Sequence, residues 1–472
     1  MLGLFGALNM ASQSMNAQMA GVDVTGQNLA NVNTTGYARQ TVDIETSPDI
    51  STSVGPEGTG ADATSIQQIS DDLLNSQIQS QQSVSGYWNS QQTALQSAQT
   101  NLDEYLSGTA SSSSSSTDTS STGLSAQLSG LFSSFSSLAT TPTSLTAQQA
   151  VVNQAQNLAT TFNQVDTQLT ALNSQLNGSV SSGVTSANGL LSNIASLNNE
   201  ITAAEYSGGA ANDLMDTREQ DLENLSQLVN IQTSTGTGGA VDVSIGGQAL
   251  VSGSQTLDQL KTYDPGNGQL QVETTSGGTP LTLTGGSIQG TIDARDGALA
   301  DLQSGVNTLA STLITQVNGI ANTGYSPTGT TGTAFFTGTD ASDIAVNSTL
   351  VNNPGLLQSS ASAATPSDNS VALQLADLAS TDQSTLSGQT LSAAYASTVN
   401  SLGSALQTAN EQVTNQTAVT TMLQTQQSDV SGVNVDQEMT NLMGFQRAYE
   451  ASAQLVTTIN TMMGDTLSMK TA

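Results

Sequence analysis

Cysteine and histidine are both absent from this chain of 472 residues. Their absence removes thiol nucleophiles, Ser-His-Asp triads, imidazole general bases and the usual zinc ligands, and it excludes disulfide staples. Aromatic residues make up only 3 %, so a core must be built mainly from Leu, Val, Ile, Ala and Met. Positive charge is scarce too: 6 Lys and Arg stand against 37 Asp and Glu, a formal net charge of −31. Phosphate recognition depends on clustered cations, so nucleic acid is excluded as a partner, and an anionic lipid surface would repel the chain. No stretch approaches the roughly 20 apolar residues that span a bilayer, which argues against a membrane partner. The apolar start, Met1 to Met10, has no basic flank and is interrupted by Asn9, Ser12, Gln13 and Ser14. It does not read as a cleaved secretory signal, so the chain is either cytoplasmic or exported by another route.

What is present is 36 % hydrophobic residues, enough for cores, with only 9 % charged residues. Ser, Thr, Gln, Asn and Gly fill the surface instead. At roughly 150 residues per domain, the length suggests about three domains.

The hydrophobic residues are patterned. Met1, Leu8, Met15, Val22 and Leu29 repeat every seven residues over 1–31, with Phe5 and Met19 beside them. Val435, Leu442, Tyr449, Val456 and Met463 do the same near the other end, flanked by Met439, Phe445, Ile459 and Leu467. Sustained heptads mark helices that pack along other helices, so the two chain ends are expected to pair as a coiled-coil-like inner domain. Between them run further helical stripes: Ile66, Ile69, Leu73, Val84, Trp88, Leu95, Leu102 and Tyr105; Val151 to Leu176 in steps of four and three; and Leu190 to Ile201 after an expected break at Gly178 to Gly183. Leu299 to Leu313 and Val399 to Val413 form two more. Over 231–292 the period changes to two at Val241, Val243 and Ile245, at Leu270 and Val272, and at Leu281 and Leu283, with Gly-Gly punctuation that reads as hairpins.

The expected fold is therefore mainly α with a small antiparallel β part, elongated and multi-domain. Residues 1–60 carry the N-terminal heptad helix and join 433–472 in the inner domain, 61–229 form a long-helix bundle, and 230–292 a β-hairpin region. Residues 293–323 return as a helix, 324–369 are loop-rich with a short strand at Ile344 to Val346, and 370–432 complete the bundle. The serine run Ser111 to Ser116 reads as a loop.

Candidate chemistry is thin. Asp293 and Asp296 offer carboxylates, but any acidic chain supplies such pairs, and no calcium loop or phosphate-binding glycine motif is present. No catalytic, cofactor-binding or metal residue is assigned. The arginines say more: Arg218 beside Glu219, Arg295 beside Asp296, and Arg447 three residues before Glu450 suggest structural ion pairs.

The segment Asn28-Leu29-Ala30-Asn31-Val32-Asn33-Thr34-Thr35-Gly36-Tyr37, continuing to Ala38-Arg39-Gln40, resembles the N-terminal signature of flagellar rod, hook and hook-associated axial proteins. The stretch Ser431 to Glu438, followed by Phe445-Gln446-Arg447-Ala448-Tyr449-Glu450-Ala451, is similar to the C-terminal partner signature. Interior motifs resemble the hook-associated members in particular: Asn212 to Glu219, Gly286 to Asp296, Phe335-Phe336, and Asp368 to Leu373. The serine-rich insert departs from that pattern, as does the short interval between Phe336 and Asp368 that reduces the outer segment.

The resemblance implies export through the flagellar type III apparatus, location outside the cell, and a ring of identical subunits joining hook to filament. The implied partners are other copies of the chain, hook protein, other hook-associated proteins, filament-proximal subunits and an export chaperone, with no cofactor. The implied subunit contacts lie on the two heptad stripes and on Asn31, Thr35, Gly36 and Tyr37. Two rival readings are another axial protein (flagellin, hook or rod) and a secreted carbohydrate-active enzyme, which would need a cleft and a carboxylate pair.

Overall fold

The structure is a computed structural model that describes residues 3–52, 55–106, 123–278 and 280–471. The serine run at 111–116 and the side chains of Met1, Leu102, Tyr105 and Lys470 lie outside the described residues. The chain is mainly α with small antiparallel sheets, as expected. Helix α1 (Leu4–Ala30) is followed by strands β1 (Gln40–Thr46), β2 (Ile50–Thr52), β3 (Gly55–Glu57) and β4 (Ala61–Gln68). Then come helices α2 (Asp72–Leu106), α3 (Leu124–Thr140), α4 (Leu145–Tyr206) and α5 (Asn212–Leu228). A β region holds β5 (Ile231–Thr235), β6 (Val241–Ile245), β7 (Gln248–Ser252), β8 (Gln255–Thr256), β9 (Leu260–Tyr263) and β10 (Gln271–Thr274). Helix α6 (Gly286–Ala294) runs through a π turn at Arg295–Leu299 into α7 (Ala300–Ala321). The short strands β11 (Phe336–Thr337) and β12 (Ala345–Val346) precede α8 (Ser348–Asn352), α9 (Ser370–Asp377), α10 (Leu391–Ser431) and α11 (Val435–Thr471).

Helix α4 organises the molecule. Its 62 residues contain no proline, Ser144 caps its start by accepting from the Ala147 amide, and Gly208 at φ +78° follows its end. At 1.5 Å per residue it is about 90 Å long. The break expected at Gly178 to Gly183 is absent, because the apolar seam continues through it as Leu176, Val180, Val184, Ala187, Leu191 and Ile194, all buried. Gly183 is there for contact: a Cβ on it would lie 2.8 Å from Ile288 of α6.

The first half of α4 packs with α3, α7, α9, α10, Phe335 and Phe336 in one core. The second half packs with α5, α6 and the β region in another, around Leu222, Leu225, Val243, Ile245, Leu250 and Val272. The β region is a four-stranded antiparallel sheet, β5-β6-β7-β8, beside the ribbon of β9 and β10. Leu281 and Leu283, expected on a strand, follow a single bridge from Pro280 to Glu273 instead. In α2 the buried apolar residues are Leu74, Ile78, Ala94, Leu95 and Ala98, while Leu73, expected on the seam, faces solvent. Strands β1 and β4 pair antiparallel from Gln40 opposite Gln68, a ribbon that sequence periodicity did not reveal.

Candidate functional site

The terminal helices α1 and α11 belong to neither core. They lie antiparallel against each other. Ser14 and Ser452 share a hydrogen bond of 3.1 Å, the Phe445 ring sits where a Cβ on Gly21 would approach within 2.6 Å, and the Asn28 amide donates to Glu438 Oε2 at 3.0 Å. These pairs step by seven residues along both helices. The facing side of α1 is lined by small or polar residues, with Ala11, Ala17, Gly21, Val24, Thr25 and Asn28 buried.

The expected hydrophobic stripe is displaced by one residue from that seam. Leu8, Met15, Val22 and Leu29 are half-buried on its flank. On α11, Leu442, Phe445, Tyr449, Val456 and Met463 are half-buried and Ile459 is buried, whereas Val435 and Met439 are exposed.

Where the two helices meet the body, the signature segment forms a polar joint. Asn28 is buried at 1 % exposure and uses both ends of its amide. Its nitrogen donates to the Gln40 carbonyl (2.8 Å) and to Glu438, and its oxygen accepts from the Tyr37 hydroxyl and the Gln40 amide, both at 2.9 Å. Arg39 lies 4.0 Å from Glu438, and its backbone amide donates to the Ser431 carbonyl at 2.7 Å. The joint is anchored on the start of α5: Asp216 accepts from the Ala38 amide (3.1 Å), and Asp213 accepts from the Gln40 side chain (2.8 Å). Asn31 donates to the Gln27 carbonyl, Thr35 and Gly36 are exposed, and Gly36 takes φ +81°, which favours glycine.

Burial dominates the electrostatics here. It pushes Asp216 up to about 6 against the lowering effect of the Ala38 amide, with Asp213 adding repulsion. It also lifts the Tyr37 phenol to about 12, helped by Asp213, Asp216 and Glu438. Glu219 likewise reaches about 6 through burial, although Gln79 donates to it at 2.9 Å. Asp72, Asp216, Arg218, Glu219 and Glu223 border an open cleft of about 890 Å3 between the joint, α2, α5 and α10.

The expected Arg218–Glu219 pair is corrected: Arg218 is buried and donates to the Asn198 side chain (3.0 Å) and the Gly239 carbonyl (2.6 Å). Its direct partners are neutral oxygens of α4 and the β region, while Glu219, Glu205 and Asp72 act on its charge through space. Arg295 does form the expected pair, with Nε 2.6 Å and Nη2 3.0 Å from the two oxygens of Asp296. It also donates to Asn177 and to the Leu270 carbonyl. Arg447 is exposed, and among the described residues no ion pair joins it to Glu450, since exposed side chains gain little by holding one geometry. Asp293 is bound by the Tyr87 hydroxyl at 2.7 Å and the Gln289 amide. Among the described residues no three carboxylates converge to hold a metal.

Sequence reasoning missed Asn28, Gln40, Glu438, Asp213 and Asp216 as a working set, and it missed the α4 asparagines altogether. Asn177, Asn188 and Asn198 are spaced by about three helical turns, which places them on one face of a helix. That spacing was the available signal.

A family model described as "Flagellar hook-associated protein FlgK helical domain" matches residues 113–336, and one described as "Flagellar basal body rod FlgEFG protein C-terminal" matches residues 424–469. Flagellar hook-associated protein 1 of Bacillus subtilis is 26 % identical over 511 residues, covering 97 % of this chain and 96 % of that one. Its counterpart from Escherichia coli is 24 % identical over 559 residues, covering 98 % and 99 %. That alignment is longer than this chain's 472 residues, so the relative carries segments lacking here. The solved structure of the flagellar hook junction protein FlgK from Burkholderia pseudomallei superposes with a TM-score of 0.62 at 17 % identity, covering 75 % of this chain and all of that one. These relatives are structural proteins of the flagellum, and the chain is not an enzyme. Family models thus match the helical middle and the C-terminal end, and along nearly its whole length the chain is similar to flagellar hook-associated protein 1.

Proposed function

We propose that this chain is a structural subunit of the hook-filament junction, built into a ring of identical subunits that joins the hook to the filament. The observation that carries the reading is the standing of the terminal helix pair: it lies outside both cores, is tied to the body by polar bonds, and keeps apolar side chains exposed. Phe5, Met439, Met443, Leu455, Met462 and Leu467 face solvent in the single chain. Apolar surface of this extent on an isolated subunit marks a contact surface, and neighbouring helices of the same kind would cover it.

In this reading the flanking stripe of Leu8, Met15, Val22 and Leu29, together with Val435, Leu442, Phe445, Tyr449, Val456, Ile459 and Met463, packs between subunits. The exposed Thr35 and Gly36, with Asn31 and Tyr37, meet the next subunit at the joint. The partners are other copies of the chain, hook protein, other hook-associated proteins and filament-proximal subunits, with a chaperone before export. The chain leaves the cell through the flagellar type III apparatus and acts outside it. Electron micrographs of a strain lacking the chain test this directly: hooks without filaments are expected, and ordinary filaments on those hooks overturn the reading.

A further inference from the structure

Methionine is distributed unevenly along the chain. Of the 11 methionines, 9 lie in the two terminal helical segments, 1–31 and 435–471, so their chemistry is concentrated at one end of the molecule. Met19, Met422, Met439, Met443, Met462 and Met469 are each between 44 % and 78 % exposed, while Met10, Met15, Met215 and Met463 are half-buried. Met439 and Met443 stand one turn apart near the start of α11, and Met462 and Met469 continue a seven-residue step from Leu455 near its end.

The rest of the chain offers oxidants little else. There is no cysteine and no histidine, and the one tryptophan, Trp88, is half-buried beside the helix-bundle core. Two-electron oxidation therefore has one accessible class of target, the exposed thioethers, and they sit where the subunit surface is apolar. Methionine is also the side chain suited to a surface that must fit non-identical neighbours, because its unbranched, polarizable chain repacks easily.

We propose that the exposed methionines of the terminal helix pair are an oxidation site, and that their conversion to sulfoxides by a peroxide blocks subunit packing. A thioether sulfur lone pair attacks one peroxide oxygen, an S–O bond forms and the O–O bond breaks. The displaced oxygen takes up a proton and leaves as water; sulfur is oxidised by two electrons and the peroxide is reduced. The product is polar and stiffer, so a contact that buried an apolar thioether must now bury an S–O dipole. The effect on packing rests on the junction reading above; the site of oxidation does not.

The test treats purified full-length protein with dilute hydrogen peroxide, maps sulfoxides by peptide mass, and measures binding to hooks isolated from a strain lacking the protein. Met19, Met422, Met439, Met443, Met462 and Met469 are expected to oxidise before Met10, Met215 and Met463. Hook binding is expected to fall roughly tenfold or more, the loss from one poorly solvated dipole at a contact, with helical content by circular dichroism unchanged. The variant Met19→Leu/Met439→Leu/Met443→Leu/Met462→Leu/Met469→Leu keeps volume and apolarity and is expected to bind hooks after the same treatment, and a second carrying only the last two changes is expected to lose less binding than the parent. Treated protein that carries the sulfoxides and binds as well as untreated protein overturns the proposal, as does equal loss in the leucine variants. Untreated protein that does not bind hooks overturns the junction reading itself.

Discussion

Asn28 illustrates what a single polar residue does in this chain. Its amide satisfies the Gln40 backbone in both directions while holding Tyr37 and Glu438, so three separate segments share one buried side chain. The sequence made this residue visible only as part of a family signature. Its hydropathy gives no hint of burial, because an asparagine is buried only when partners distant in sequence complete its hydrogen bonds. The neighbouring carboxylates carry a consequence for pH. Asp216 and Glu219 both titrate near 6, above their ordinary values of 3.8 and 4.5, because burial disfavours the charged forms. Between those values the folded chain binds more protons than the unfolded one, so stability falls as pH rises through the window from about 4 to about 6 and stays lower above it. Asp72, Asp213 and Glu223 around the same cleft add like charge, and Arg218 offsets only part of it for Glu219. Urea midpoints measured across this window are therefore expected to decrease toward neutral pH. The variant Asp216→Asn/Glu219→Gln is expected to flatten that slope; an unchanged slope would remove these two groups from the explanation.

Elements in this molecule are long because their sequences contain nothing to stop them, and α4 is the clearest case. Steps of four and three from Val151 to Leu176 make its first half legible. The second half misled because Gly178, Ser179, Ser181, Ser182 and Gly183 look like a linker. Tertiary packing overrides that local weakness: the glycine at 183 admits Ile288, and the seam shifts to Val180 and Val184. The same helix holds the β region through asparagines that act as stand-ins for a neighbouring strand. Asn188 donates to the Leu260 carbonyl at 2.8 Å and accepts from the Leu260 amide at 2.9 Å. Asn198 does the same for Val241, and Asn177 bonds the Gly268 carbonyl and the Leu270 amide. Replacing Asn188 with Ala leaves both backbone groups of the buried Leu260 without partners, a loss of about 1–3 kcal/mol. The expected result is a lower urea midpoint with faster amide exchange at Leu260 and unchanged helix content; unchanged exchange there would show that the clamp does not hold the ribbon.

At the scale of the whole molecule, one helix serves two cores while the chain ends stand apart from both. The heptads announced two helices that pack along others, but they did not announce which face each partner takes. Hydropathy registers Leu8, Met15, Val22 and Leu29, whereas the intramolecular seam is built from Ala11, Ala17, Gly21 and Asn28, whose small size brings the backbones close without a hydrophobic signal. The division of faces is the centre of the account. One side of the pair closes the single chain, and in the junction reading proposed above the exposed apolar residues are the surface that neighbouring subunits cover.

The most direct test places charge on the exposed side only. Leu455 and Met462 are 43 % and 55 % exposed, so Leu455→Asp/Met462→Asp should leave the unfolding free energy of the purified subunit within about 1 kcal/mol of the parent. The same substitutions would bury unpaired carboxylates at every subunit contact in a ring, at a cost of several kcal/mol each. In a strain producing only this variant, the measurement is its amount in purified hooks relative to culture supernatant. The account predicts normal release into the supernatant, absence from hooks and loss of motility. Normal incorporation and swimming would contradict it.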